Sequence, residues 1–436
     1  MLLTFFLLVH LVSRAQSGAE PALSLSLRDA LSMVKEKNKL IGAARTEQDA
    51  VEEDYKDART AQLPSIGLGG SYQRFSKVTL FREGLTGGHN VPRYPEQNSA
   101  NVGLDASLTL FAGGRIRNAI EEQHIRKDIA SLNTLDQTGS LSLQVVSNYL
   151  DILRLNEQDS VIMDQIRRAE TRLKNIRTLY ENQKVTRSDV LRAEVILANQ
   201  KLSREQNEND ISIAIQHLDV LLNLPTTTVL QLTDSAGSNI PDASGLTAYV
   251  SGAAAHSYTI LRAQQLIKLQ DNRIRSIRSG YSPTVQFYSA YGLNYPNYLG
   301  FPPVDQFYLL GFVGIRMTYN ISSFYQNRHK AAAAHIREAG LELQKSAIED
   351  EVNQQTRALA TKYSEALDRI SVAESTIDQT RVNYRIVSVK YFNQLALLTD
   401  LLDADNLYLE SRFNLIRSQT DALAYYYRLL CVSGNL

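Results

Sequence analysis

Two aspartates three residues apart, Asp400 and Asp403, are spaced so that they share one face of a helix. The matching positions 211 residues earlier hold Asp189 and Arg192, so the second charge is reversed there. An aspartate in the first turn of a helix caps free backbone N–H groups and suits the helix dipole. Capping accounts for Asp189, whereas Asp403 lies deeper in the helix than a cap requires. Asp403 is therefore free for a role beyond local structure.

The residues that most often carry catalysis are sparse or badly spaced. The seven histidines form no ligand pair on one helix, and the single cysteine, Cys431, excludes an intramolecular disulfide and a Cys-based metal site. Gly113 and Gly114 lack the phosphate-loop pattern. The 46 Lys and Arg residues balance the 46 Asp and Glu residues, with no dense basic run. We predict no enzyme, metal site, cofactor or nucleic-acid partner.

The aspartate pair belongs to a string that occurs twice. "YENQKVTRSDVLRAE" occupies residues 180–194, and "YFNQLALLTDLLDAD" occupies residues 391–405. The halves also align outside this string, and copy one is eight residues longer between residues 73 and 101. Length variation concentrates in surface loops, so this segment is expected to be a surface loop. The alignment of the halves indicates one architecture written twice. We predict a first repeat over 16–225, a polar linker over 226–245 and a second repeat over 246–436.

The first residues resemble an export signal. Leu2 to Val12 form an apolar core of about eleven residues, followed by small residues around the possible cleavage site. This core is too short to cross a bilayer as a helix, which needs about 20 residues. We therefore predict a signal peptide over residues 1–15.

Each repeat contains two segments with the alternating pattern of β-strands, predicted at about 64–75 and 100–111, then 283–294 and 309–320. In "NVGLDASLTL" the residues at every second position from Val102 are apolar, and those between them are small or polar. This pattern is typical of membrane barrel strands, although a half-buried strand of a soluble sandwich looks identical. Membrane barrels begin at about eight strands, so a barrel would need several copies of the chain.

Long helices follow the strands, and their apolar residues recur at alternating steps of four and three. This heptad spacing predicts two antiparallel helical hairpins, with helices of about 40 residues and tips at about 181–188 and 392–399. Asn182 and Asn393 are expected to take the left-handed conformation that ends a helix. Thr186 and Asp189 predict a capping box that begins the next helix.

With these elements the chain resembles the TolC-type outer-membrane efflux factors. The resemblance rests on the signal peptide, the twofold helix–strand–strand–hairpin order, Leu63-Pro64-Ser65, "LFAGGR" at 110–115 and the two tip strings. It implies a mainly α fold with membrane β: a periplasmic α-barrel continuous with a twelve-stranded barrel that three chains share. It also implies a location in outer-membrane lipid, reaching into the periplasm.

The resemblance further implies a channel that exports small molecules with a periplasmic adaptor and an inner-membrane pump. A passive porin and an exit duct for type I protein secretion share the fold and stay open as alternatives. A secreted structural coiled-coil protein would explain the heptads, although not the doubled strand pairs.

The resemblance also assigns roles at the tips. Asp400 and Asp403 line the periplasmic mouth, where threefold symmetry would place six carboxylates, and acidic rings favour cations. The candidates for holding the mouth narrow are Asp189, Arg192, Arg187 and Tyr391, the last of which could instead pack in the heptad seam. The adaptor-docking candidates are Lys184, Val185, Thr186, Leu395, Leu397 and Leu398, whose leucines could instead pack within the tip.

Three positions depart from the family pattern. Glycine is usual where Gln183 and Gln394 stand, and some members have an arginine at the position of Ala396 that helps to close the tip.

Overall fold

The computed structural model describes residues 23–76, 79–81, 84–90, 97–225, 228–237, 240–299 and 304–436. The predicted signal peptide, residues 1–15, lies outside the described residues. The chain divides into two compact units. Unit 1 comprises Met1–Gly42, Gln137–Ala253 and Gln354–Leu436, and unit 2 comprises Ala43–Asp136 and Ala254–Asn353.

The described elements follow the repeated order predicted from the sequence. In the first half they are β1 Leu23–Leu25, α1 Leu27–Lys37, α2 Lys39–Thr60, β2 Ser65–Arg74, β3 Thr79–Phe81, β4 Gly88–Asn90, β5 Asn98–Phe111, α3 Arg115–Glu181 and α4 Arg187–Leu222. In the second half they are β6 Leu230–Leu232, α5 Leu246–His256, α6 Tyr258–Ser279, β7 Thr284–Tyr295, β8 Tyr308–Thr318, α7 Ser323–Gln326, α8 Arg328–Phe392 and α9 Leu398–Val432.

Unit 2 contains a four-stranded antiparallel sheet in the order β2-β5-β7-β8. Its register places Ile66, Ala106, Ser289 and Val313 in one row, so the alternating apolar residues of all four strands share a face. The large apolar side chains of this face are exposed, and Val313 is exposed by 74%. Within the described residues, β2 and β8 each pair on one side only.

On β2, β5 and β7 the opposite face of this sheet carries mainly small and polar residues, whereas β8 also places Leu310 and Phe312 there. Gly103 and Gly292 are paired in register on β5 and β7, where a Cβ atom on Gly103 would lie 2.9 Å from the Gly292 Cα. Arg316 lies on the same face, with its guanidinium 4.5 Å from the ring centroid of Tyr288. The two faces therefore differ in polarity as the sequence pattern predicts.

The end of β5 needs glycine for a steric reason. Gly113 has a φ of 60°, and a Cβ atom there would lie 2.4 Å from the Cβ atom of Ser282. Only glycine combines this left-handed backbone with such a close approach. The "AGG" of the first repeat is explained in this way.

Unit 1 has an apolar core where β1 pairs in parallel with β6. Tyr149 of α3 is buried there, and its hydroxyl lies 2.7 Å from Asp234 Oδ2 and 3.0 Å from the Leu25 carbonyl oxygen. Burial, followed by the hydrogen bond to Asp234, raises the pKa of Tyr149. Segment 226–245, predicted as a linker, contains β6 and buries Leu230 and Ala236.

The long helices also differ from expectation. α3 has 67 residues and α8 has 65, whereas α4 and α9 have 36 and 35. The expected length of about 40 residues fits only α4 and α9, the second helix of each hairpin. The first helices, α3 and α8, begin well before the residues in which the heptad spacing is recognised. Among the described residues, no helix combines the length and apolar content that a membrane span requires.

Candidate functional site at the hairpin tips

The two hairpin turns share one backbone geometry. Gln183 and Gln394 are left-handed, with φ values of 57° and 62°. The amide of Lys184 donates to the Leu179 carbonyl at 2.8 Å, and that of Leu395 donates to the Lys390 carbonyl, also at 2.8 Å. These bonds satisfy carbonyls that the helix end leaves free.

The expectation that Asn182 and Asn393 are left-handed is wrong. Their side-chain amides instead donate to carbonyl groups one turn earlier, Thr178 at 2.7 Å and Val389 at 2.8 Å. The left-handed residue is the next one, a glutamine. A glycine is thus not required for the turn, although a glutamine there is less favourable.

Substituting this glutamine tests the turn. We expect Gln394→Gly to raise the free energy of unfolding by about 1 kcal/mol, because the Cβ atom disfavours the left-handed conformation. Denaturant unfolding of the detergent-solubilised protein measures the change. Gln379→Gly, at an exposed position in the middle of α8, is the matched control, and its free energy of unfolding should fall by about 1 kcal/mol. A lower free energy of unfolding in both variants would show that the left-handed conformation of Gln394 carries no strain.

α4 and α9, the second helices of the two hairpins, begin differently. Thr186 and Asp189 form the predicted capping box: Thr186 N donates to Asp189 Oδ2 at 2.9 Å, and Asp189 N donates to Thr186 Oγ1 at 3.3 Å. In α9 the backbone amide of Leu397 donates to Asp400 Oδ2 at 3.0 Å. Leucine has no side-chain oxygen to accept the second hydrogen bond, so Asp400 makes only one of the two hydrogen bonds of a capping box.

Several charged tip residues are exposed and lack ion-pair partners. This is true of Asp403, Arg187 and Arg192 within the part of the chain that the structure describes. The nearby exposed pair is instead Arg177 with Glu194, at 2.6 Å between α3 and α4. Arg187 and Arg192, two of the residues predicted to hold the mouth narrow, are therefore free to contact another molecule.

Both hairpins meet in an apolar cluster at the tips, which we call the tip core. Its buried members are Leu173, Ile176, Ala193, Tyr391, Leu398, Leu401 and Leu402. Leu398 is exposed by 6%, whereas Leu395 and Leu397 are exposed by 76% and 68%. Of the docking candidates, Leu398 thus packs within the tip. Val185 packs partly against the tip core, and Lys184 and Thr186 are exposed.

Tyr391 takes the packing role that the sequence left open. Its side chain lies in the tip core, and its hydroxyl is buried and has no hydrogen-bond partner among the described residues. Burial, and then the nearby Asp189 carboxylate, raise the pKa of Tyr391. Tyr180, at the matching position of the first hairpin, is exposed by 43%.

An ionic network next to the tip core was missed by the sequence interpretation. Asp405 of α9 is buried and accepts hydrogen bonds from two arginines of α3: Arg168 Nε at 3.1 Å and Arg172 Nη2. Asp164 Oδ2 accepts from Arg168 Nη1 at 2.5 Å and from Arg412 Nη1 at 2.7 Å. These bonds tie the first hairpin to the second.

Two tyrosines complete this network. The rings of Tyr384 and Tyr408 are stacked with centroids 6.2 Å apart, and the guanidinium of Arg168 lies 5.6 Å and 5.3 Å from them. Such contacts hold a guanidinium in place by cation–π attraction. The available sequence signal was the spacing of Arg168 and Arg172, four residues apart beside the apolar seam.

Residues 30–224 match the outer membrane efflux protein family. This match confirms the predicted resemblance and, with it, the outer-membrane location that the description of this family states. The family comprises efflux channels rather than enzymes.

Solved structures of outer-membrane channels have the same fold. The outer-membrane channel OprN is 16% identical with a TM-score of 0.77, over 94% of this chain and 90% of that chain. VceC from Vibrio cholerae is 14% identical with a TM-score of 0.77, over 94% and 96%. The MtrE channel of Neisseria gonorrhoeae is 17% identical with a TM-score of 0.73, over 94% and 89%. These likenesses confirm the predicted fold class of the efflux channels. A comparison with curated protein sequences gives no match.

Proposed function

We propose that this outer membrane efflux protein is the exit duct of an export system for small molecules, working with a periplasmic adaptor and an inner-membrane pump. The observation that carries the proposal is the four-stranded sheet, which has an exposed apolar face and two open edges. Unpaired edge groups are costly in lipid, so the strands must pair with further strands. Three copies of the chain provide the twelve strands of one shared barrel.

The helices support assembly from several copies. On α4, Leu191, Val195 and Leu202 are each exposed by half or more. On α8 the same is true of Val382, Ile386 and Val389. Leu191 and Val195 are the fifth and ninth residues from the start of α4, and Val389 and Ile386 the fourth and seventh from the end of α8. The exposed apolar residues of α4 and those of α8 therefore lie at similar distances from the tips, so α4 of one copy fits against α8 of the next.

The tip residues take unequal roles in this assembly. Asp403 lines the periplasmic mouth together with Asp400, which also caps α9, and a ring of such carboxylates favours cations. Arg187 or Arg192 pairs with an acid of a neighbouring copy and holds the mouth narrow. The exposed Leu395 and Leu397, with Lys184, Val185 and Thr186, form the docking surface for the adaptor.

Planar-bilayer conductance of the purified, detergent-solubilised protein tests this function. We expect cation-selective channels whose selectivity falls several-fold in Asp400→Asn/Asp403→Asn, because each carboxylate contributes about 1 kcal/mol to a cation about 4 Å away. Asp210→Asn removes an exposed charge from the interior of α4 and is the matched control, with unchanged selectivity. Absence of channels would overturn the duct, and unchanged selectivity in the double variant would remove these aspartates from the mouth.

A further inference from the structure

Beside the ionic network lies a cleft whose lining is rich in arginine. It has a volume of about 260 Å³ and lies among α3, α8 and α9. Its polar lining residues are Arg167, Arg168, Arg172, Thr171, Asn175 and Ser388. Tyr384, Phe392 and Leu401 provide an apolar wall, and none of the described residues that line the cleft is acidic.

The charges around this cleft do not balance. Arg168, Arg172 and Arg412 share two carboxylates, Asp164 and Asp405. Arg167 adds a further guanidinium, for which no ion-pair partner exists among the described residues. Four guanidiniums thus accompany two carboxylates here, although Arg412 lies beside the cleft rather than in its lining and Arg167 is exposed.

Two of these guanidiniums are largely buried. The side chain of Arg172 is exposed by only 4% and that of Arg168 by 16%. Arg172 Nε and Arg168 Nη2 are buried, and no other residue that the structure describes forms a hydrogen bond with them. A guanidinium held away from water needs a compensating negative charge, and its planar set of donors suits carboxylates and phosphates.

The arginines are also held in place before any ligand binds. Asp405 orients both Arg168 and Arg172, and the rings of Tyr384 and Tyr408 lie against the Arg168 guanidinium. Preorganised donors lose less conformational entropy on binding. The cleft is smaller than most drug-sized sites, which begin at about 300 Å³, so its ligand is small.

We infer that this cleft binds a small oxyanion, carrying a phosphate or carboxylate group, at the joint between the two hairpins. The anion contacts Arg167 and the open parts of the other guanidiniums, with Thr171, Asn175 and Ser388 as further donors. It adds negative charge beside the buried guanidiniums without bonding their buried nitrogens. Because it bridges α3 and α8, its binding stabilises the packed arrangement of the tips by linkage.

Titration calorimetry with inorganic phosphate tests the site on the intact, detergent-solubilised protein, with sodium chloride at equal ionic strength as the blank. The test variant is Arg167→Gln, since the Arg167 side chain is exposed and makes no hydrogen bond or ion pair with another described residue, so its loss leaves the network intact. We expect phosphate to bind the wild type and to bind this variant about tenfold or more weakly, the loss typical of a charged hydrogen bond. Arg28→Gln, at an exposed arginine of α1 outside the cleft, should bind like the wild type.

Three outcomes would overturn the site. Equal phosphate binding by all three proteins would show general charge attraction rather than the cleft. Binding weakened equally in both variants would have the same meaning. No phosphate binding to the assembled wild type would show that the cleft is not an anion site, for example because a carboxylate of a neighbouring copy fills it. Repeating the titration with sulfate and acetate separates the phosphate-like ligand from the carboxylate ligand.

Discussion

Replacing Asp405 by alanine is expected to lower the free energy of unfolding by about 3–5 kcal/mol, because it leaves buried arginine charges without their carboxylate. Asp405 accepts from both Arg168 and Arg172, and the Arg172 side chain is almost fully buried. Its loss therefore affects two guanidiniums at once. Denaturant unfolding of the solubilised protein, followed by circular dichroism, measures the change.

The sequence repeat offers a matched control. Glu194 is the residue that corresponds to Asp405 in the first hairpin, and it pairs with Arg177 at the surface. The two side chains of this pair are exposed by 39% and 56%. Glu194→Ala should therefore cost less than about 1 kcal/mol, and less still at high salt. Similar losses in the two alanine variants would show that the network does not hold the hairpins together.

The fold is largely readable from the sequence because its elements have strong periodicity. Alternation of apolar and polar residues marks the strands: β2 and β7 begin and end within one residue of the predicted segments, and β5 and β8 within two. The alternation also assigns each residue to a face, since a strand has a period of two. Thr186 with Asp189 predicts the start of α4 because both halves of the capping box are local in sequence.

The rest depends on contacts between distant segments. Arg168 and Asp405 are 237 positions apart, and no local pattern indicates that they meet. Whether Leu398 faces solvent or the tip core depends on the path of the chain through the turn. That path is fixed by the left-handed Gln394, a residue type that rarely adopts this conformation. Long-range pairs and unusual backbone conformations are therefore what the sequence interpretation missed.

Replacing Val313 by arginine is expected to prevent most of the protein from assembling in the membrane. Val313 is the central residue of β8 and is exposed on the apolar face of the sheet. An arginine facing lipid near the middle of the bilayer costs about 2–4 kcal/mol, and an assembly of three chains would carry this cost three times. The amount of folded oligomer extracted from outer membranes, resolved on a gel without heating, measures the effect.

The opposite face of the sheet supplies the control at nearly the same depth. Ser107 of β5 pairs with Tyr288 of β7, which pairs with Gly314, the neighbour of Val313. The Ser107 side chain lies on the face opposite to that of Val313, which already carries Arg316. Ser107→Arg should therefore leave the amount of oligomer close to that of the wild type. If both arginine variants assemble normally, the apolar face does not contact lipid. If both fail, the two faces do not differ in environment, and the shared barrel must be abandoned.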